Sequence, residues 1–208
     1  MRILLTGFGP FPGAPANPSA ALVRALARRR RPSFAAIERL THIFRTIYDS
    51  VDRDLPKLLA QQPDIVLMFG LAGRARELRI ETRARNALSV LFPDASGFRP
   101  PQGVIAHGGP AALRGRAPFA RLLGAARTSS VPACLSRDAG RYLCNYAYWS
   151  ALQRSTNDGR PCVQFVHIPP LGAKPRPRRR TRRRSRSLHD FVDAAAALLI
   201  ALVAANRR

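Results

Sequence analysis

Three short apolar runs constrain this chain more than any other feature. They are Ile3–Thr6, the stretch Asp64–Gly70 (DIVLMFG) and the stretch Cys162–Ile168 (CVQFVHI). None alternates polar with apolar residues, and the first two end at glycine and the third at Pro169-Pro170. A strand with no polar side has no face to show to water. Such strands belong to a mainly parallel sheet covered on both faces by helices. The stretches between them supply the covers. Pro18-Ser19 opens a helix through about Arg30 on Leu22, Val23, Leu26 and Ala27. Val51 to Gln61 repeats apolar residues at Val51, Leu55, Leu58 and Leu59. Pro118–Ala126 and Tyr142–Leu152 read as further helices. Residues 36–44, Leu78–Glu81 and Val131–Leu135 read as further strands, and 92–110, rich in Pro and Gly, as an irregular excursion. Ser187 with Asp190 approximates a capping box before a long apolar helix. The β-α-β-α-β order predicts an α/β fold: a single-domain α/β/α sandwich over 1–208 with a mainly parallel, twisted central sheet.

Charge is the unusual part of the composition. The chain carries 35 Lys+Arg against 12 Asp+Glu, a formal net charge of +23. Much of the excess is local: residues 174–186 hold nine basic side chains and no acid, and Arg28 to Arg31 form a second run. The segment at about 172–186 reads either as a flexible, solvated loop or as a patch for nucleic acid or another anionic surface. The scattered Arg elsewhere are not interleaved with stacking aromatics, which weakens the nucleic-acid reading. The three cysteines, Cys134, Cys144 and Cys162, form no even disulfide set and no metal-ligand spacing. The N-terminal apolar run is too short for a signal peptide, and Ala194–Ala205 is shorter than the ~18–20 residues of a spanning helix. A reduced, cytoplasmic protein with free thiols and no membrane span is the expectation.

Among those thiols, Cys144 has the setting of a nucleophile. Asp138 and Gly140 form turns just ahead of a helical stretch, so Cys144 falls near a helix N-terminus, where the macrodipole favours thiolate. Cys134 and Cys162 lie inside apolar strands and read as core fillers. A thiol nucleophile needs a base, and His167, at the end of its strand, can reach the same rim; His42, His107 and His189 lie in polar or terminal settings. Glu81, at the end of the Leu78–Ile80 run, is a candidate to fix the imidazole, or else a surface partner for the nearby Arg79 or Arg83. The loop Gly7–Gly13 lacks the G-x-G-x-x-G spacing of dinucleotide binding and loses two amides to proline. It offers Phe8 and Phe11 instead, either as walls of an apolar pocket for a small flat group or as core residues.

Taken together, these landmarks resemble pyroglutamyl peptidase I, the pyrrolidone-carboxylate peptidases. TGFGPFPG followed by Asn17-Pro18-Ser19 is similar to the family's opening. Gly70-Leu71-Ala72-Gly73 with Glu81, Ala84 and Asn86, then Pro93-Asp94 with Gly97, then Gly108–Ala112, follow in order. Ser136–Asn145 resembles S-x-x-A-G-x-x-x-C-N, and Phe165–Pro169 resembles F-x-H-x-P. The resemblance implies Cys144, His167 and Glu81 as catalytic residues, and Phe8, Phe11, Thr46, Tyr142 and Leu143 as substrate-binding residues. It places Asn17 and Asn86 near the site as structural residues. It also implies pyroglutamyl peptides as substrate, no metal or organic cofactor, and frequent self-association as a homo-oligomer. Two positions depart: many members carry Gln where Leu71 stands and Arg where Leu91 stands. A relative with a changed acyl substrate or slower turnover therefore stays open, as does a basic nucleic-acid-binding protein on the same scaffold.

Overall fold

The computed structural model describes residues 1–11, 13–155, 160–172 and 185–207. Six strands build the main sheet: β1 (Arg2–Phe8), β2 (Glu38–Phe44), β3 (Ile65–Leu71), β4 (Leu78–Glu81), β7 (Ala133–Ser136) and β8 (Cys162–Ile168). Their order is β2-β1-β3-β8-β4-β7, and β5 (Arg83–Arg85) pairs separately with β6 (Ala112–Arg114). The pairings of β1 with β2 and β3, of β3 with β8 and of β4 with β7 are parallel, and that of β4 with β8 is antiparallel. The sheet is thus mainly parallel, as the unbroken apolar runs require.

Side chains of successive residues leave opposite faces of a strand, so each central strand feeds two cores. Ile3 and Leu5, Ile65 and Leu67, and Val166 and Ile168 pack with α1 (Pro18–Arg28), α3 (Phe119–Arg127) and α5 (Leu188–Asn206). Leu4 and Phe8, Val66 and Met68, and Val163 and Phe165 pack with α2 (Tyr48–Leu59) and α4 (Leu143–Gln153). This is the expected helix–sheet–helix layering. The capping box at Ser187 is present: its hydroxyl accepts from Asp190 N while Asp190 accepts from Ser187 N. The helix it starts is 19 residues and apolar enough, by length and composition, to cross a membrane. Here Phe191, Leu198, Leu199 and Leu202 are buried in the first core, which accounts for that composition.

Two features differ from the sequence reading. The β5–β6 pair was not expected, because three-residue strands rich in Arg carry no period-2 signal. Helix α2 starts at Tyr48 rather than near Val51, without a side-chain cap at Ile47 to mark it. The Arg-rich segment falls largely at 173–184, outside the described residues. The residues flanking it are tied together, since Gly172 N donates to Arg186 O at 3.2 Å.

Candidate active site

Cys144 is the second residue of α4, whose N-cap, Tyr142, makes no side-chain capping bond. The first-turn amides are therefore not capped by Tyr142, and they lie at the end of the helix that favours negative charge. Helix α4 lays this turn over the C-terminal ends of β3 and β8, where Gly70 pairs with His167. The approach is close enough that only glycine fits. A Cβ on Gly70 would stand 2.6 Å from Cys144 Sγ and 2.8 Å from Phe165 Cζ.

The antiparallel joint supplies the third group. Arg79 faces His167 and Glu81 faces Phe165. Glu81 and His167 are therefore diagonal neighbours on the face that carries Cys144. His167 Nδ1 donates to Glu81 Oε1 at 2.8 Å, with Glu81 fully buried. The Cys144 sulfur is the imidazole's other charged neighbour. Burial alone would push the His167 imidazole down. The adjacent Cys144 sulfur and the Glu81 carboxylate together outweigh burial and lift it to about 9. The other cysteines lack this company. Burial, then a hydrogen bond to Glu77, pushes the Cys134 thiol up to about 11, and burial raises the Cys162 thiol too. The other histidines pair with surface partners: His42 with Asp54 at 3.2 Å and His189 with Asp193 at 3.2 Å, while His107 meets Gln102.

The phenylalanine loop is fixed by one carbonyl. Gly9 O accepts from Asn17 Nδ2 at 3.1 Å and from Thr46 Oγ1 at 3.0 Å. Asn17 also caps α1 by accepting from Ser19 N. Phe8 is buried and packs on Phe44, centroid to centroid 5.7 Å, while Phe11 keeps partial exposure. The two readings of this loop thus divide: Phe8 is a core residue and Phe11 reaches the surface. Leu143 is buried in the second core, and Tyr142 is half-buried. Asn86 clamps the excursion, accepting from Ile105 N and Ala106 N and donating to Ala106 O. Leu71 ends β3 half-buried opposite Ile168, and Leu91 is 73% exposed.

Sequence reading missed three contributors. The start of the excursion and the segment leading into it lie against the two residues before Leu143: Tyr142 Oη donates to Pro93 O at 3.0 Å, and Ser89 N to Arg141 O at 2.7 Å. Tyr48 sits edge-on to Tyr142 at 6.1 Å. Asn145 binds Arg85 N, Arg85 O and Ala87 O, holding β5 beneath α4. Only Asn145, beside the cysteine in its motif, had a sequence signal.

A thiol at a helix N-terminus beside an imidazole that is hydrogen-bonded to a buried carboxylate, at one end of a parallel-rich sheet, supplies the parts of a thiol hydrolase. Comparison with known proteins narrows the class. A family model described as pyroglutamyl peptidase matches residues 1–208, and the chain belongs to that family. It is 35% identical over 168 residues to a pyrrolidone-carboxylate peptidase of Clavibacter michiganensis, covering 80% of this chain and 78% of that one. A pyrrolidone-carboxylate peptidase of Thermococcus onnurineus is 33% identical over 184 residues, covering 85% and 90%. Among solved structures, the pyrrolidone carboxyl peptidase of Fervidobacterium islandicum superposes with a TM-score of 0.84 at 30% identity, covering 98% of this chain and 99% of that one. Pyroglutamyl peptidase I of Bacillus amyloliquefaciens gives 0.81 at 27% identity, covering 98% and 97%.

Proposed function

We propose that this chain is a thiol peptidase that removes an N-terminal pyroglutamyl residue from peptides. In this reading Cys144 is the nucleophile, His167 the acid–base and Glu81 the group that holds the imidazole. The observation that carries it is the 2.8 Å hydrogen bond from His167 Nδ1 to the buried Glu81 Oε1, with the Cys144 sulfur packed against Gly70, the residue paired with His167. The elevated imidazole keeps its proton in neutral solution and faces the sulfur as an imidazolium. The thiolate attacks the carbonyl that joins the lactam ring to the next residue, and first-turn amides of α4 hold the oxyanion. His167 gives its proton to the departing amine, leaving a thioester on Cys144. The neutral imidazole then takes a proton from water, whose oxygen displaces the sulfur and frees pyroglutamate.

The partly exposed Phe11 and Tyr142 are the apolar walls of the substrate site in this reading, and the buried Phe8, Thr46 and Leu143 support them. Leu71 and Leu91 carry no side-chain hydrogen bond to the lactam or oxyanion, so backbone groups must satisfy them. The chain acts as one domain over 1–208, in the cytoplasm. The test is release of a fluorescent amine from a pyroglutamyl amide by wild type and by Cys144→Ala. Turnover by the first and none by the second supports the reading. No turnover by a folded, reduced wild type would overturn it.

A further inference from the structure

The carbonyl of Glu81 receives two side-chain donors. Tyr148 Oη donates to it at 3.0 Å, and Gln164 Nε2 donates to it at 3.0 Å. Both side chains are fully buried. Their origins are informative. Tyr148 lies four residues after Cys144 on α4, hence on the same helix face. Gln164 lies three residues before His167 on β8. The element of the thiol and the element of the imidazole therefore each send one hydrogen bond to the backbone of the residue that carries the carboxylate.

We infer that Tyr148 and Gln164 are positioning residues, a latch on the Glu81 carbonyl that locks α4, β8 and β4 in the one arrangement that aligns Cys144, His167 and Glu81. The need is local. Strand β4 is four residues long, and Glu81 is its last. Among the described residues its carboxylate has one held oxygen, and Oε2 is buried without a hydrogen-bond partner. The side chain thus cannot anchor itself, and its aim depends on its backbone. The surroundings are shaped for the latch. A Cβ on Gly115 would stand 2.5 Å from Tyr148 Oη, and Thr82 N donates to Ser136 O at 2.8 Å, so the amide of the peptide after Glu81 is held as well. Phe165 fills the remaining space, 5.7 Å from the Tyr148 ring and 4.9 Å from the His167 ring, centroid to centroid.

The inference rests on the proposed peptidase roles, so its test includes a readout that needs no substrate. Tyr148→Phe keeps the ring and removes the donor; Gln164→Met keeps the volume and removes the donor. Each variant is expected to lose about tenfold in kcat with KM little changed, the size of effect a small misalignment produces. The pH midpoint for alkylation of Cys144 by iodoacetamide, followed on the Cys144 peptide by mass spectrometry, is expected to move up. A loosened Glu81 weakens the imidazolium that stabilises the thiolate. In a Glu81→Gln background the same substitutions should cost little more, because the group they aim is already gone. Thermal melts check folding, and if Tyr148→Phe fails to fold, Gln164→Met carries the test. Wild-type kcat with an unmoved midpoint, or an equal loss in both backgrounds, would overturn the latch. If no form turns over a pyroglutamyl amide while the midpoint still moves, the substrate reading fails and the latch stands.

Discussion

Replacing Gly70 by alanine adds a single methyl group at the closest approach in the site. The new Cβ would lie 2.6 Å from Cys144 Sγ and 2.8 Å from Phe165 Cζ. Ordinary non-bonded contact is about 3.5–4.0 Å, so sulfur and ring must each retreat by about 1 Å. The ring has no free space, because Phe165 is fully buried between Tyr148 and His167. Gly70 has no positive φ, so backbone strain does not contribute. The overpacking should cost about 1–3 kcal/mol of stability. The displaced thiol should also slow the reaction, by about a hundredfold in kcat/KM for a misplacement of that size. The assay is amine release from a pyroglutamyl amide beside urea unfolding of both proteins. Gly70→Ala with wild-type kcat/KM would refute the claim that the thiol rests on a bare Cα.

Other outcomes follow from the same contacts. Glu81→Gln removes the carboxylate that helps hold the His167 imidazole near 9, so the fall of kcat/KM on the alkaline side should begin at lower pH; a pH–rate profile reads this directly. Cys144→Ala should abolish turnover while leaving the circular dichroism spectrum unchanged. Asn145→Ala strands Arg85 N and frees two carbonyls. It should destabilise by about 1–3 kcal/mol in urea unfolding. Thr46→Val removes one of two donors to Gly9 O; it should raise KM more than it lowers kcat in the same amine-release assay, because it loosens the Phe11 loop rather than the thiol.

The sequence showed the parts of this molecule more readily than their joints. The apolar runs at β3 and β8 marked buried strands within a residue or two, because a strand covered on both faces has no polar side to confuse the reading. The turn residues before Cys144 and the placement of His167 at a strand end nominated both, and Glu81 followed as the carboxylate at the end of β4. What stayed hidden was β4 running against β8, the feature that sets Glu81 diagonal to His167. Its direction is decided by partners 86 residues apart in the chain, and no local pattern encodes it. Tyr148 was hidden for a related reason. Its ring continues the apolar face of α4, and its hydroxyl gains meaning only from a carbonyl 67 residues earlier.

Strand β8 enters the sheet between β3 and β4, which precede it in the chain. Before residue 162 is made, the growing chain can assemble β2-β1-β3 and β4-β7 as separate sheet fragments with an open seam between them. At that stage the nucleophile has already been synthesised, but its base has not, and Glu81 has nothing to orient. Closing the seam and acquiring the imidazole are a single event in assembly, carried by one late strand with long sequence separation from its partners. A nascent or truncated chain ending before β8 therefore carries a thiol without its base, and proteolytic competence arrives only with the completed sheet.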